Sequence, residues 1–319
     1  MKNSFLTISL DFELFWGVVD VTSIHKYGKN IIGGRKAIPK ILSLFKNYNI
    51  HATWGTVAMA SFENKKELLE YLPHIKPTYK NSNIDPYEHL KSIGDNEKSD
   101  PYHFGYSLLM QIVDVEGMEI GSHSFSHFYC LENTSENAFK SDLESAALSF
   151  KRLGIETKSI IFCRNQYNKS DLQIAKNIGF TCYRGNEEHY LYKPRKSDQP
   201  MQVRAGRLID AYINIAGHHL SEPGFNSSGL TNIPSSRFLR PISKNKFLEN
   251  IRLTRIKSSM LKAAIEGKGY HLWWHPHNFG NNLEENIAFL SNILEYFKFL
   301  QSEYGMQSLN MLEASKKYS

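Results

Sequence analysis

The 319-residue sequence predicts an α/β fold, a single barrel-like domain built from repeated strand–helix units. Strand-like apolar runs alternate with helix-like ones, the pattern of a mainly parallel sheet. Several of the strand-like runs end in acids, histidines or an arginine, and barrel enzymes gather their chemistry at the C-terminal ends of the strands. No internal repeat or linker divides the chain, and barrel-type domains commonly reach about 250 residues as one unit.

Residues 5–12 read as the first strand and 35–48 as the first helix, in which Ile38, Ile41, Leu42 and Phe45 recur at helical spacing. A second strand follows at 51–57. The pattern then becomes irregular, and the polar stretch 73–101 lacks any apolar period. A structureless loop of that length is unusual in a compact domain, so 60–115 reads as an inserted lid or subdomain. Regular alternation resumes with a strand at 118–122, a helix at 136–153, a strand at 159–163, a helix at 170–178 and a strand at 181–184. Residues 186–207 are polar and loop-like, and 211–216 alternate as a strand would. Residues 221–243 carry the Gly, Pro, Ser and Asn of an active-site loop. A helix at 246–265, a strand at 270–274, a helix at 283–304 and a short strand at 307–310 complete seven or eight units within one domain, 1–319.

An apolar fraction of 41% supplies a buried core, which excludes a disordered chain. The formal charge of +6 is spread among nearby acids, without a basic run or aromatic–basic interleaving. It therefore reads as solvated surface with a mild preference for anionic substrates such as phosphate-bearing lipids or nucleotides, and nucleic acid is not the expected partner. Cys130, Cys163 and Cys182 form neither a CxxC nor an even-numbered framework, so they read as reduced thiols. Residues 1–10 lead directly into a strand, and no run of about 18 apolar residues occurs, so the expectation is a cytoplasmic protein without a transmembrane segment.

Four segments carry chemistry. His123 and His127 follow the strand 118–122, and on an extended chain they would stand roughly 13 Å apart, too far for one ion with bonds of about 2.0–2.1 Å. The chain must bend after His123, and a helical turn capped by Ser124 or Ser126 would return His127 over it. Asp11 and Glu13 end the first strand on one face, roughly 7 Å apart, close enough for one to bind a metal and the other to serve as base. Carboxylates in so apolar a run require a partner. His271, His275 and His277 end the last long strand. His271 lies inside the strand and reads as structural, whereas His275 and His277 reach the rim, where a histidine can protonate a leaving amine. Arg164 follows the strand 159–163 and would hold a carboxylate ionised, with a backbone N–H near Tyr167 available to an oxyanion.

In this order the segments resemble the motifs of the polysaccharide deacetylase, or NodB-homology, family, also grouped as carbohydrate esterase family 4. The resemblance spans about residues 5–310 and implies a distorted (β/α)7 barrel with an insertion between the first two motifs. It implies a metal-dependent amide hydrolase that removes an N-acyl group from a sugar during bacterial surface-glycan synthesis. Asp11 would be the base, Glu13, His123 and His127 the metal ligands, and His275 the acid, with Arg164 as a further catalytic residue. Tyr167, Arg237, Arg240 and His277 would contact substrate. Phe12 separates the two acids where the family has adjacent aspartates, which leaves open which of them binds metal, and Arg164-Asn-Gln-Tyr167 lacks the family's proline. Zn2+ suits such a ligand set, and Co2+, Ni2+ or Fe2+ would also fit. The expected partner is an N-acylated sugar, free or joined to a nucleotide, lipid or polymer. A deformylase, a cyclic-amide hydrolase and an inactive sugar-binding protein are the alternatives.

Overall fold

The computed structural model describes residues 4–132, 134–195, 200–226 and 228–317. Its strands are β1 (Phe5–Phe12), β2 (Ala52–Thr56), β3 (Met118–Ser122), β4 (Ser159–Ile160), β5 (Cys182–Tyr183), β6 (Gly224–Phe225), β7 (Thr231–Asn232), β8 (Arg237–Phe238), β9 (Gly269–Trp274) and β10 (Gln307–Ser308). The helices are α1 (Ile24–Tyr48), α2 (Lys65–Glu70), α3 (Pro86–His89), α4 (Tyr106–Val113), α5 (Glu136–Lys151), α6 (Lys169–Ile178), α7 (Met201–Asp210), α8 (Lys246–Glu266), α9 (Leu283–Tyr304) and α10 (Met311–Lys317).

The strands form one sheet in the order β6-β7-β5-β4-β3-β2-β1-β9-β8, with β10 beside the start of β1. Every pairing is parallel except β6 with β7. The two ends of this order are joined by one extended run. Ile233 N and Ser235 N donate to Tyr183 O and Gly185 O beside β5, after which Ser236 N and Leu239 N donate to His271 O and Trp273 O beside β9. Pro234, which has no N–H to contribute to a ladder, sits where the run changes partners. β1 to β5, this run and β9 thus make a distorted seven-stranded barrel wrapped by helices.

β1 is buried along its whole length, and its period of two separates two environments. Leu6, Ile8, Leu10 and Phe12 join the large apolar layer shared with α1, α8 and α9. Phe5 meets Ile161, Cys182, Ile233, Met311 and Ala314 in a separate cluster, so α10 plugs one end of the barrel. From Phe5 the inner face of β1 then becomes polar through Thr7 and Ser9 to Asp11. Each fully buried Leu, Ile or Phe contributes roughly 1.5–3 kcal/mol, which holds the polar end against a rigid support.

Two sequence expectations are corrected here. Residues 211–216 are not a strand: the backbone N–H groups of Ile215 and Ala216 fold back onto Asp210 Oδ1 (3.2 and 2.9 Å), leaving Ile213 and Ile215 exposed. The barrel position expected of them is taken by the run 231–238, within the segment that reads as a loop. The segment 186–207 contains most of α7, and its residues 196–199 lie outside the described residues. Residues 60–115 hold α2, α3 and α4, and their Phe62, Leu68, Tyr87, Leu90, Ile93 and Phe104 belong to the main core.

Candidate active site

At the C-terminal strand ends lies a pocket of about 800 Å³ lined by Asp11, Glu13, His123, His127, Arg164, His275 and His277, among others. Around it the backbone leaves regular structure abruptly. Leu14, Ser124, His127, Arg164 and Asn165 all have φ between 49° and 62°, a left-handed conformation uncommon outside glycine that tends to be held at functional sites.

The turn after His123 is a bend, not the expected helical turn. Ser124 Oγ accepts from Phe128 N at 2.7 Å, and Asp142 of α5 accepts from Phe125 N at 2.7 Å and from Ser126 Oγ. The result still returns His127 to His123, with ring centroids 5.1 Å apart. His123 Nδ1 lies 2.8 Å from Ile161 O and must donate to it, which leaves the buried Nε2 without a hydrogen bond. A hydrogen bond from one ring nitrogen to a backbone carbonyl fixes the tautomer and leaves the other nitrogen available as a metal ligand.

Glu13 Oε2 lies 3.5 Å from His123 Nε2 and 3.3 Å from His127 Nε2. Ligands about 2.0–2.1 Å from one tetrahedral ion stand roughly 3.3–3.4 Å apart, close to both Glu13–histidine separations; among the described residues, His123, His127 and Cys163 form one group of candidate ligand atoms within 4.8 Å of one another, and Glu13, His275 and His277 another. Burial works against charge on His127, yet Cys163 and Glu13 raise its pKa to about 9. His275 Nε2 and His277 Nδ1 approach Glu13 Oε1 less closely, at 3.7 and 3.9 Å.

Asp11 has different company. Arg184 grips both of its oxygens at 2.7 and 2.8 Å, and is itself held by Ser9 Oγ, by Asn165 Oδ1 and by the face of Trp273 at 4.2 Å. Burial alone would raise the Asp11 carboxyl, but the charge and hydrogen bonds of Arg184 with the charges of His123 and His275 together outweigh it and hold it below the usual range. For Glu13, burial is outweighed by His275, His123 and His127, and its carboxyl falls well below the ordinary value.

His275 is half-buried, with Nδ1 3.1 Å from Asn278 Oδ1 and Nε2 3.6 Å from Asp11 Oδ2. Its loop rests directly on α1, where a methyl group on Gly34 would lie 2.7 Å from His277 Cα. His277 stacks on His275 with ring centroids 5.0 Å apart, and burial followed by the charge of His275 lowers it to about 3. His271 is buried against Ser9 Oγ at 2.9 Å and lowered to about 3, chiefly by burial, as a neutral structural histidine would be.

The remaining expected residues divide. Arg164 lines the pocket but pairs with Asp20 and stacks 4.3 Å over Tyr129; the arginine on Asp11 is Arg184. Tyr167 does not line the pocket, because its ring packs between Phe162 and Tyr183. Arg237 and Arg240 do line it. Sequence reasoning missed Arg184, although it ends an apolar strand in the same way as the residues that were singled out. It also missed Cys163, whose Sγ lies within 4.8 Å of ligand nitrogens of both His123 and His127; nothing in its spacing marks it.

Residues 28–183 match the sequence profile of the polysaccharide deacetylase family. That span holds His123, His127 and Arg164 but not Asp11, Glu13 or His275. No curated protein sequence matches the chain. A protein described as a polysaccharide deacetylase from Mycobacterium smegmatis has a similar structure, with TM-score 0.63 at 10% identity over 99% of this chain and 90% of that one. One so described from Pseudomonas aeruginosa PAO1 and the PuuE allantoinase each give 0.59 at 12% identity, with the same coverage of 99% and 90%. At these identities the likeness shows the fold.

Proposed function

We infer, from the premise that residues 28–183 belong to the polysaccharide deacetylase family, that this protein is a metal-dependent hydrolase removing an N-acyl group, in the first instance acetyl, from a sugar. The observation that carries this reading is the placement of Glu13 between His123 Nε2 and His127 Nε2 beside an independently anchored Asp11. Glu13, His123 and His127 would hold the ion, zinc or a similar divalent metal. When bound, it supplies Lewis acidity toward the acyl oxygen and acidifies water.

The protein's own groups supply the rest. Asp11 stays anionic because Arg184 grips it, and each of its oxygens keeps a second lone pair with which to take the proton of the attacking water. His275, steered by Asn278, reaches the same space from β9 and in its protonated form delivers a proton to the departing amine. Amide and water become a carboxylic acid and an amine. The substrate in this reading is an N-acyl sugar handled in the cytoplasm for surface-glycan assembly, free or joined to a nucleotide or lipid, and a pocket of about 800 Å³ has room for a small sugar. No helix among the described residues is long and apolar enough to cross a membrane.

Elemental analysis combined with acetate release from N-acetylated sugars tests this reading. Wild type should carry near one equivalent of metal. His123→Ala and Glu13→Ala should lose it, while Asp11→Asn should keep it and lose turnover. Metal-free wild type after reconstitution would sink the hydrolase reading, and loaded wild type inert on every acyl sugar would favour a binding protein.

A further inference from the structure

The carboxylate of Glu13 has two oxygens, and the metal site proposed above uses one of them. Oε2 faces His123 and His127. Oε1 faces a different pair, His275 Nε2 at 3.7 Å and His277 Nδ1 at 3.9 Å. These gaps are too long for hydrogen bonds, which close to about 2.7–3.2 Å, yet only a few tenths of an ångström wider than the separation one tetrahedral ion imposes on its ligands. Among the described residues, Glu13, His275 and His277 keep one donor atom each within 4.8 Å of one another, whereas His123 and His127 group with Cys163. Two histidine pairs thus flank one buried carboxylate.

His275 is prepared in the same way as His123. Asn278 Oδ1 accepts from His275 N at 3.3 Å, which fixes the orientation of that amide, so the ring Nδ1 at 3.1 Å must donate to the same oxygen. Nε2 keeps its lone pair, with Glu13 Oε1 and Asp11 Oδ2 in front of it at 3.7 and 3.6 Å. His277 is held from behind by α1, where Gly34 closes on its backbone and the Tyr27 ring meets it edge-on at 5.5 Å. The two histidine rings lie within 9° of parallel, so their nitrogens approach Oε1 side by side. Imidazole nitrogens with a carboxylate oxygen suit zinc, cobalt or nickel better than magnesium or calcium. We propose that Glu13 bridges two cation sites, the second formed by Glu13 Oε1, His275 Nε2 and His277 Nδ1 with Asp11 Oδ2 beside them, and that it takes a second divalent ion of the zinc type. This site is the weaker one: the first ion already draws on the charge of Glu13, the two cations repel, and Asp11 is engaged by Arg184. An ion there occupies the lone pair on which His275 would carry a proton to the amine, so filling it stops turnover. The bridge rests on the metal ligands proposed above, and the inhibition rests on His275 as the acid.

The test separates the second ion from the reaction. Co2+ is titrated into chelator-treated protein and followed by calorimetry and by electron paramagnetic resonance. Two equivalents should bind, the second about tenfold or more weakly, and the signal of the first should broaden or lose intensity as the second enters, because two ions on one carboxylate couple magnetically. His277→Ala, or His277→Gln if that variant misfolds, should keep one uncoupled equivalent and lose the other. In acetate-release assays of wild type, zinc beyond the first equivalent should lower kcat by about a hundredfold at saturation, the scale of a general acid. A single equivalent at saturating metal, a second that is uncoupled and survives both His277 variants, or a second that leaves kcat unchanged overturns the proposal and leaves the hydrolase reading standing. Two coupled ions in a protein that releases no acyl group at any loading support the bridge and overturn the hydrolase reading instead. Binding of neither ion overturns both.

Discussion

Asp11 and Glu13 leave the same strand face two residues apart, yet one meets an arginine and the other meets histidines. Removing the arginine leaves a buried carboxylate uncompensated, a loss worth about 3 kcal/mol or more. Arg184→Gln should lower the unfolding free energy in urea by that order and reduce kcat, while metal content stays near that of wild type. A neighbour with no functional group is as decisive for Glu13. A methyl group on Gly17 would lie 1.9 Å from Glu13 Cδ, closer than any real contact, so the carboxylate must move. Gly17→Ala should therefore keep the far-UV circular dichroism of wild type and weaken metal binding by about tenfold or more, the scale on which displaced site geometry acts; unchanged affinity in a competition titration would count against Glu13 as ligand.

The loop 123–128 owes its shape to an element it does not belong to. Asp142 of α5 receives Phe125 N and Ser126 Oγ, with Tyr87 Oη at 3.3 Å. Burial is the largest influence on its carboxyl and raises it to about 7, against 3.8 ordinarily. Between those values Asp142 holds a proton in the folded protein that it lacks in the unfolded chain, so its own contribution to stability is fullest in acid and falls as the pH rises, by up to about 1.4 kcal/mol per unit. Asp142→Asn, which mimics the neutral form, should flatten this decline when unfolding is compared at pH 5 and pH 7, whereas Asp142→Ala should cost stability at both and loosen the metal site. The loop carrying His275 and His277 depends in the same way on the close approach that Gly34 permits on α1.

At the scale of the whole molecule, the metal site proposed at Glu13, His123 and His127 would join β1 to the loop after β3, so its occupancy should stabilise the barrel. Ion at a hundredfold excess over its dissociation constant adds about 2.7 kcal/mol, and chelation should lower Tm accordingly, with recovery on adding zinc. An identical Tm with and without chelator would contradict a cation bound to the folded state. Much of this architecture is legible in the chain: the alternation of elements, the polar strand ends, the HxxxH and the carboxylates at 11 and 13 follow from local periodicity and from the cost of placing charge in apolar strands. Tertiary structure decided the partners. Arg184 rather than Arg164 holds Asp11, Cys163 lies against the histidines, and the run 231–238 rather than 211–216 joins β5 to β9. Each of these depends on which strand ends become neighbours when the barrel closes, and that proximity comes from packing among distant segments, to which local periodicity is blind.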